Sequence, residues 1–358
     1  MPVPRRDLEL TRHQLREWLR HKLPNARDLA LTELVGPSET GFSSDTLLFD
    51  VEWSDAGGAR RERFVARFKP SGFTVFPKYD IALQFRVMQT LGQHTDVPVP
   101  RMRWLEENEA PLGAPFYVMD RVDGRVPTDN PPYHVAGWLH DLTPAEREAL
   151  WWSGLDAMAR VHTLDWRALG FGFLDQPERG TRPLEQQLRE YDEYLSWGMD
   201  RTRYPLVTAA QRWLHAHQPA DEPVGVCWGD SRLGNQIFNG TTCAAVIDWE
   251  MVRLGDPVQD LAWWLALDRC FSEGLGVDRL PGIPDRDATI ARWERRVGRP
   301  AKHFAYYEIL ALYKFAAIMA RVSLQLKHYE FFPPDSDMDV NNLASVMLAR
   351  RLDDVGAA

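Results

Sequence analysis

The chain has 358 residues, of which 44% are hydrophobic and 26% charged, a composition typical of a folded protein with room for two lobes. Its formal net charge of −9 argues against a nucleic-acid partner, because a phosphate backbone requires clustered basic residues. The three cysteines lack C-x-x-C spacing and no apolar signal segment is visible at the N-terminus. We therefore expect no disulfide framework and no zinc site, and we predict a cytoplasmic protein.

The first third of the chain carries the pattern of a small antiparallel sheet. Apolar residues spaced among charges over residues 8–22 predict an amphipathic helix. Strict alternation of apolar and polar residues, followed by a D-A-G-G turn, then predicts a hairpin. The predicted elements after the first helix are strands at 47–53 and 63–69, a helix at 79–91, and strands at 101–105 and 115–119.

The rest of the chain carries mainly helical signals. Thr143 and Glu146, with Pro144 between them, predict a capping box at the start of a helix. Further helices are predicted at 184–198, 207–217, 304–325 and 340–350. A run of strands followed by a run of helices predicts an α+β protein with lobes at residues 1–120 and 121–358.

One segment of the second lobe has the apolar character of a membrane span. Residues 304–326 are largely apolar, but Glu308, Lys314 and Arg321 interrupt them. Charged residues are costly in a bilayer, so we predict a core helix and no membrane partner.

Residues 226–261 hold the densest group of candidate catalytic residues. A short apolar strand leads to Asp230, Asn235 follows in the same loop, and a second apolar strand ends at Asp248. Two carboxylates and an amide carbonyl form an oxygen-rich cluster suited to Mg²⁺. In kinase-type phosphoryl transfer, such an Asp accepts the proton of the attacking hydroxyl, while the Asn and the later Asp hold metal.

Three motifs in this stretch, W-G-D-x-x-x-x-N, V-I-D-W-E and G-D-P-x-x-D-L-A, resemble those of the aminoglycoside phosphotransferase family of protein-kinase-like small-molecule kinases. The resemblance implies a two-lobed kinase-like fold and transfer of the γ-phosphate of ATP, with Mg²⁺, to a hydroxyl of a small molecule. It implies Asp230 as the catalytic base, and Asn235 and Asp248 as metal ligands. Trp228 stands where the family usually has a supporting His, so the departure concerns loop geometry more than chemistry.

The resemblance also implies a cation for the nucleotide phosphates on the returning strand of the first lobe. Arg67 stands in the position of the family's lysine, and Lys69 on the same strand face is the rival. We favour Arg67, because a guanidinium bridges two phosphate oxygens. Gln84 stands where the family usually has the Glu that pairs with this cation, and an amide can hydrogen-bond Arg67 without forming an ion pair.

Two backbone segments complete the nucleotide site that the resemblance implies. The Gly- and Ser-containing loop before the first strand, with Ser43 and Ser44, would cover the phosphates. Met119, Asp120 and Arg121 would form the hinge between the lobes, whose backbone groups read adenine.

Four further polar residues receive supporting roles. His162 lies on the apolar stripe of a helix and is expected to be structural. Asp256 precedes a proline at a helix start, which predicts a cap, and Asp260 one turn later is expected to brace the catalytic loop. Glu250 lies either near the metal or in a structural salt bridge.

The phosphate acceptor is open between two chemical classes. Second-lobe helices carry aromatic and acidic residues, which favour a cationic acceptor such as an aminoglycoside or an amine. The aromatic residues are Trp197, Trp263, Trp264, Phe271, Tyr306, Tyr307 and Tyr313, and the acids are Glu190, Asp192, Glu193, Asp268 and Glu273. A basic cluster at 292–299 favours an anionic acceptor such as a hydroxyacyl-CoA thioester. We favour the cationic class, and a pseudokinase-like nucleotide-binding protein is a further alternative because Gln84 and Trp228 depart from the family pattern.

Overall fold

The computed structural model describes residues 6–36 and 45–357, and it begins with a lobe built on one sheet. The elements of this lobe are α1 (Leu8–Lys22), β1 (Arg27–Leu31), β2 (Asp45–Asp55), β3 (Gly58–Phe68), α2 (Ile81–His94), β4 (Met102–Glu106) and β5 (Phe116–Asp120). The strands form a five-stranded sheet in the order β1-β2-β3-β5-β4, and every neighbouring pair is antiparallel. The predicted small antiparallel-sheet lobe is confirmed.

The alternation of side chains along β3 determines which way the predicted phosphate cation points. Phe64, Ala66 and Phe68 pack into the smaller apolar core on the side of the sheet that α1 covers. Val65 belongs to the larger core on the opposite face, which continues through α2 into the second lobe. Arg67 shares the face of Val65, so its side chain points toward the second lobe.

The helix α1 closes the outer face of the sheet. Leu15 and Leu19 are fully buried, and the Trp18 ring centroid lies 4.8 Å from that of Phe116 on β5. The indole Nε1 of Trp18 donates a hydrogen bond of 2.8 Å to the carboxylate of Glu106 at the end of β4. The amphipathic helix predicted from residues 8–22 therefore packs as a cover over one face of the sheet.

The second lobe is mainly helical, as predicted. Its helices are α3 (Pro144–His162), α4 (Pro183–Gly198), α5 (Pro205–Ala216), α6 (Val258–Cys270), α7 (Arg286–Val297), α8 (Phe304–His328) and α9 (Leu343–Asp354). The capping box of Thr143 and Glu146 is present at the start of α3. Four short strands, β6 (Gly225–Cys227), β7 (Gln236–Asn239), β8 (Thr242–Val246) and β9 (Arg253–Gly255), lie between α5 and α6. They pair as β6 with β9 and β7 with β8, and these two small sheets carry the catalytic stretch.

The long helix α8 packs through the middle of the second lobe. Within residues 6–36 and 45–357 it is the one helix whose length and apolar composition would allow it to cross a membrane. Most of its apolar residues are buried against other helices, and the charged residues Glu308 and Lys314 are each 3% exposed. The helix lies in the core of the lobe, as the three interrupting charges predicted.

A buried carboxylate holds the C-terminal end of α8 to its neighbours. Asp339, which is 2% exposed, accepts hydrogen bonds from the guanidinium of Arg203, the hydroxyl of Tyr204 and the ammonium of Lys327. Burial alone would raise the pKa of Asp339, but these three donors hold it well below its ordinary value. The cluster ties the segment before α5 to the end of α8.

Candidate active site

The loop after β6 is held from behind by one buried carboxylate. Asp260, on the first turn of α6, accepts hydrogen bonds from the backbone N–H of Trp228 at 2.6 Å and of Gly229 at 3.0 Å. Gly229 has φ 96°, and a Cβ on it would lie 2.1 Å from the carbonyl oxygen of Met251. Only glycine fits this turn. Asp260 thus braces the loop, in agreement with the prediction from sequence.

His162 at the end of α3 orients that carboxylate. The indole Nε1 of Trp293 donates to His162 Nδ1 at 2.8 Å, so Nδ1 is the acceptor and the ring proton is on Nε2. The Nε2 atom lies 3.0 Å from Asp260 Oδ2 and donates to it. The His162 side chain has no exposed surface, so it supports the loop and cannot reach a substrate.

Asp230 presents its carboxylate to three donors at the front of the same loop. Its Oδ1 atom accepts from Trp263 Nε1 at 2.9 Å, and its Oδ2 atom accepts from Asn235 Nδ2 at 2.7 Å. Both oxygens also accept from Nε of Arg232, at 3.1 and 3.0 Å. These hydrogen bonds fix the orientation of the carboxylate, and 14% of the side chain is exposed.

Arg232 extends this network to the loop before the second lobe. Its guanidinium also pairs with the carboxylate of Asp129. Burial alone would lower the pKa of Arg232, but the carboxylates of Asp129 and Asp230 outweigh it and raise the pKa above the ordinary value. The sequence analysis did not identify Arg232 or Asp129 as part of the site. It also did not predict the contact of Trp263 with Asp230. The Arg of W-G-D-S-R at positions 228–232, two residues after Asp230, was the available signal.

Trp228 supports the backbone around Asp248, just after β8. Its side chain is fully buried, and its Nε1 atom lies 3.0 Å from the carbonyl oxygen of Ile247 and 3.2 Å from that of Asp248. Asp248 itself has φ 61°, a left-handed conformation that is uncommon for a non-glycine residue. The indole holds the backbone on both sides of this strained position, which gives the tryptophan a structural role in place of the expected histidine.

Asn235 and Asp248 present oxygen atoms suited to a divalent cation. The Asn235 amide donates Nδ2 to Asp230, so its Oδ1 atom points away, and no described residue donates to it. Asp248 accepts from Arg67 through Oδ1, and its Oδ2 atom accepts from no group in residues 6–36 and 45–357. Across those residues no three His, Cys, Asp or Glu side chains form a metal site by themselves. One amide and one carboxylate fit Mg²⁺, which takes few protein ligands when substrate phosphates complete its shell.

Arg67 reaches this carboxylate across the space between the lobes. Its Nη2 atom lies 2.8 Å from Asp248 Oδ1 and 3.6 Å from Glu250 Oε2, and its side chain is 8% exposed. Burial alone would lower the pKa of Arg67, but Asp248 outweighs it and raises the pKa. Burial, and then the charge of Asp248, raise the pKa of Glu250 well above its ordinary value. The Nε atom of Arg67 and the Oε2 atom of Glu250 are buried without a hydrogen-bond partner among the described residues.

The other predicted nucleotide residues lie in different surroundings. Lys69 is exposed and lies one residue beyond β3, whereas Arg67 is inside the site. Gln84 is buried on α2, and its Oε1 atom accepts from the hydroxyl of Tyr117 at 3.4 Å rather than from Arg67. Ser43 and Ser44 lie outside the described residues.

The predicted hinge is at the end of β5. Met119 is buried, and the Asp120 carboxylate pairs with Arg103. The N–H of Asp120 donates to the carbonyl of residue 101 at 2.9 Å, and the N–H of Arg121 donates to that of residue 63 at 2.9 Å. Both N–H groups are therefore used within the sheet, so an adenine contact at these two residues is limited to their carbonyl oxygens.

Most of the charged residues predicted to select the acceptor form ion pairs with other residues of the chain. Every one of the five acids has partners in the chain: Glu190 pairs with Arg253, Asp192 with His215, Glu193 with Arg179, Asp268 with His134 and Arg279, and Glu273 with Arg269. In the basic cluster, Arg292 and Arg296 pair with Asp156, and Arg299 pairs with Asp256. Of the named aromatic residues, Trp263 alone contacts Asp230 through a hydrogen bond.

The chain was compared with known families and structures. The model of the phosphotransferase enzyme family matches residues 40–321. Curated relatives include acyl-CoA dehydrogenase family member 10 of Mus musculus, 28% identical over 83% of this chain, and family member 11 of Rattus norvegicus, 27% identical over 72%. The match covers 28% and 33% of those two proteins, so the chain spans about a third of their length.

Solved structures show the same fold. A Ralstonia eutropha protein described as a candidate aminoglycoside phosphotransferase is 24% identical and has a TM-score of 0.67, over 95% of this chain and 98% of that one. A complex of the aminoglycoside phosphotransferase APH(4)-Ia with ADP and hygromycin B is 15% identical with a TM-score of 0.56, over 96% and 99%. At these identities the similarity shows the kinase-like fold alone.

Proposed function

The chain belongs to the phosphotransferase enzyme family, and we propose that it transfers the γ-phosphate of ATP, with Mg²⁺, to a hydroxyl group of a small molecule. The observation that carries the proposal is the Asp230 carboxylate, fixed by Trp263, Asn235 and Arg232 beside the oxygen atoms of Asn235 and Asp248. A relative of the same fold binds ADP together with hygromycin B, which supports a nucleotide and a small acceptor here.

Asp230 acts as the base in this proposal. An acceptor hydroxyl that hydrogen-bonds to the carboxylate is oriented for attack. Its oxygen forms the bond to the γ-phosphorus as the bond from that phosphorus to the oxygen of the leaving ADP breaks, and its proton passes to the carboxylate. The three hydrogen bonds to Asp230 keep the carboxylate in one orientation, so that little reorganisation is needed during the reaction. Most of the rate enhancement in such transfers comes from positioning and charge neutralisation.

Asn235, Asp248 and Arg67 serve the nucleotide. Asn235 Oδ1 and Asp248 Oδ2 would hold Mg²⁺, which neutralises charge on the phosphates when bound. Arg67 supplies the permanent cation for the phosphate oxygens, and its unpartnered Nε is a free donor for one of them. We keep Lys69, Ser43 and Ser44 as proposed secondary phosphate contacts, and the carbonyl groups near Asp120 and Arg121 as proposed adenine contacts.

The same side chains help to decide between the alternative functions and acceptors. An intact base, two oxygen ligands and a buried cation favour an active kinase over a pseudokinase-like binding protein. The hypothesis of an aminoglycoside or amine acceptor is weakened, because the acidic residues expected to bind such an acceptor form ion pairs within the chain. The buried, unpaired state of the three cysteines is compatible with a cytoplasmic location, which we also propose.

The test is ADP release by the purified protein across a panel of hydroxyl compounds, with ATP and Mg²⁺ present. Acceptor-dependent ADP release that disappears in Asp230→Ala supports the proposal. The matched control is Asp165→Ala, because Asp165 lies in the same lobe and accepts local turn hydrogen bonds from the N–H groups of Arg167 and Ala168. Binding of ATP without any Asp230-dependent transfer across the panel would instead identify a pseudokinase.

A further inference from the structure

Lys314 is a buried cation next to the catalytic carboxylate. It lies on α8, is 3% exposed, and forms no hydrogen bond or ion pair with the described residues. Its Nζ atom lies 4.8 Å from the centroid of the Trp263 ring and 5.8 Å from that of Tyr191. The edge of the same Trp263 ring donates to Asp230 at 2.9 Å. One indole therefore separates the ammonium group from the proposed base.

The groups around Lys314 supply no counter-charge in contact with it. Arg253 is a second cation nearby, and its Nε atom is buried without a partner. Burial, and then the charge of Arg253, lower the pKa of Lys314 to about 8, whereas the more distant Asp260, Cys227 and Asp230 counteract this only in part.

The three carboxylates whose charge reaches Lys314 are already engaged, and Asp230 accepts from Trp263, Asn235 and Arg232 as described above. Asp260 accepts from two backbone N–H groups and from His162. Glu190 pairs with Arg253 and Arg179. A buried ammonium group without a contacting anion is unfavourable, so proteins generally retain one where a ligand or substrate supplies the missing charge.

We propose that Lys314, assisted by Arg253, binds the carboxylate of the phosphate acceptor, which makes the acceptor a small hydroxycarboxylic acid. The proposal rests on the proposed function and names its substrate class. The Trp263 indole lies between the ammonium and Asp230, so the acceptor must place its hydroxyl several bonds from its carboxylate. The ring also offers an apolar surface for the intervening carbon atoms.

The first experiment uses the wild-type protein and matched acceptors. ADP release is measured with short hydroxycarboxylic acids that differ in the distance between hydroxyl and carboxylate, with the methyl ester of each, and with an aminoglycoside. We expect the best acid to exceed its own ester by about 10- to 100-fold in kcat/KM, the range for a charged contact with one partner removed. Equal use of acid and ester, or preference for the ester or the aminoglycoside, would overturn the inference while leaving the kinase proposal standing.

The second experiment assigns the preference to Lys314. In Lys314→Met the ratio of kcat/KM between acid and ester should approach one, and Lys314→Arg should restore part of it. The control is Lys302→Met, because Lys302 is a 60% exposed lysine 3.5 Å from Asp221 at the surface, and this variant should keep the wild-type ratio. A Lys314→Met protein that retains the wild-type ratio would contradict the assignment.

A binding measurement separates this inference from the proposed function. The acid should raise the melting temperature of the wild-type protein, and its ester should not. If no acceptor supports ADP release, the kinase proposal fails, and the melting experiment alone decides the inference. Stabilisation by the acid that is lost in Lys314→Met supports the carboxylate site, and no stabilisation by any acid refutes it.

Discussion

Replacement of Lys314 by Met should make the ligand-free protein more stable at pH 7. The lysine is 3% exposed and contacts no carboxylate of residues 6–36 and 45–357, so the folded state bears the cost of a buried charge. Its pKa falls from 10.5 to about 8 on folding, and each pKa unit corresponds to about 1.4 kcal/mol. The charged form is therefore disfavoured by about 3 kcal/mol, which Met avoids while filling a similar volume.

The sign of the pH dependence follows from the lowered pKa. Between about pH 8 and 10.5 the unfolded chain binds more protons at this lysine than the folded chain, so wild-type stability rises with pH relative to the variant. Urea unfolding of both proteins at several pH values from 7 to 10 measures the difference between their midpoints. We expect the variant to gain most at pH 7 and least at the highest pH. A variant that is less stable than wild type at pH 7 would show that Lys314 has a stabilising partner and would refute the reasoning.

Four further outcomes are expected. Asp230→Asn should lower kcat by about 100-fold or more with little change in ATP binding, since it removes the general base, and wild-type turnover would reject this role. Asp248→Asn should raise the Mg²⁺ concentration needed for half-maximal rate, and an unchanged metal titration would count against it as a ligand. Arg67→Ala should weaken ATP binding more than Lys69→Ala, measured by calorimetry, because only Arg67 is inside the site; the reverse ranking would move the phosphate contact to Lys69. Asp339→Asn should lower the free energy of unfolding by about 3 kcal/mol at pH 7, and because the pKa of Asp339 is depressed, this difference should shrink as the pH falls below about 4. If the difference in free energy of unfolding between wild type and Asp339→Asn is the same at pH 7 and below pH 4, this explanation of Asp339 is wrong.

The sequence was informative where the pattern is local. The helix at 8–22 and the hairpin of β2 and β3 follow from periodicity, and the start of α3 follows from its capping box, whereas β1 was not predicted. In the second lobe β6 and β8 were predicted as the apolar strands before Asp230 and Asp248, whereas β7 and β9 were not predicted, because three or four residues show no period. The helix α6 begins at Val258, one residue later than predicted, and Pro257 rather than Asp256 is its N-cap, a shift within the usual uncertainty of helix ends. Asp256 lies just before the cap and accepts a hydrogen bond from the N–H of Val258 at 3.1 Å.

The candidate site was predictable only in part, for a physical reason. Asp230, Asn235 and Asp248 belong to one contiguous motif, so their association is visible in the sequence. Asp129 joins the site through Arg232, which lies 103 residues away along the chain, and no periodicity reports such a contact.

The acceptor class stays a prediction, because composition cannot tell which charges are already paired. The acids of α4 and α6 are numerous, yet each meets a basic or hydrogen-bonding group of the chain itself. Lys314 was noted only as an interruption of an apolar helix. That no carboxylate among the described residues contacts its ammonium group becomes visible only when the neighbouring helices are in place.

The ion pair between Arg67 and Asp248 has a consequence for the order of binding. Without ligands, Arg67, the cation proposed for phosphate, forms an ion pair of 2.8 Å with Asp248, the carboxylate proposed for metal. Either ligand alone must break this pair and leave one partner without its counter-charge. When phosphate and metal bind together, the ion pair breaks once and both Arg67 and Asp248 gain a new partner. Each ligand should therefore strengthen the binding of the other by the same factor. On the proposed function, we therefore expect the ligand-free protein to bind the metal–nucleotide complex in preference to free ATP or free Mg²⁺.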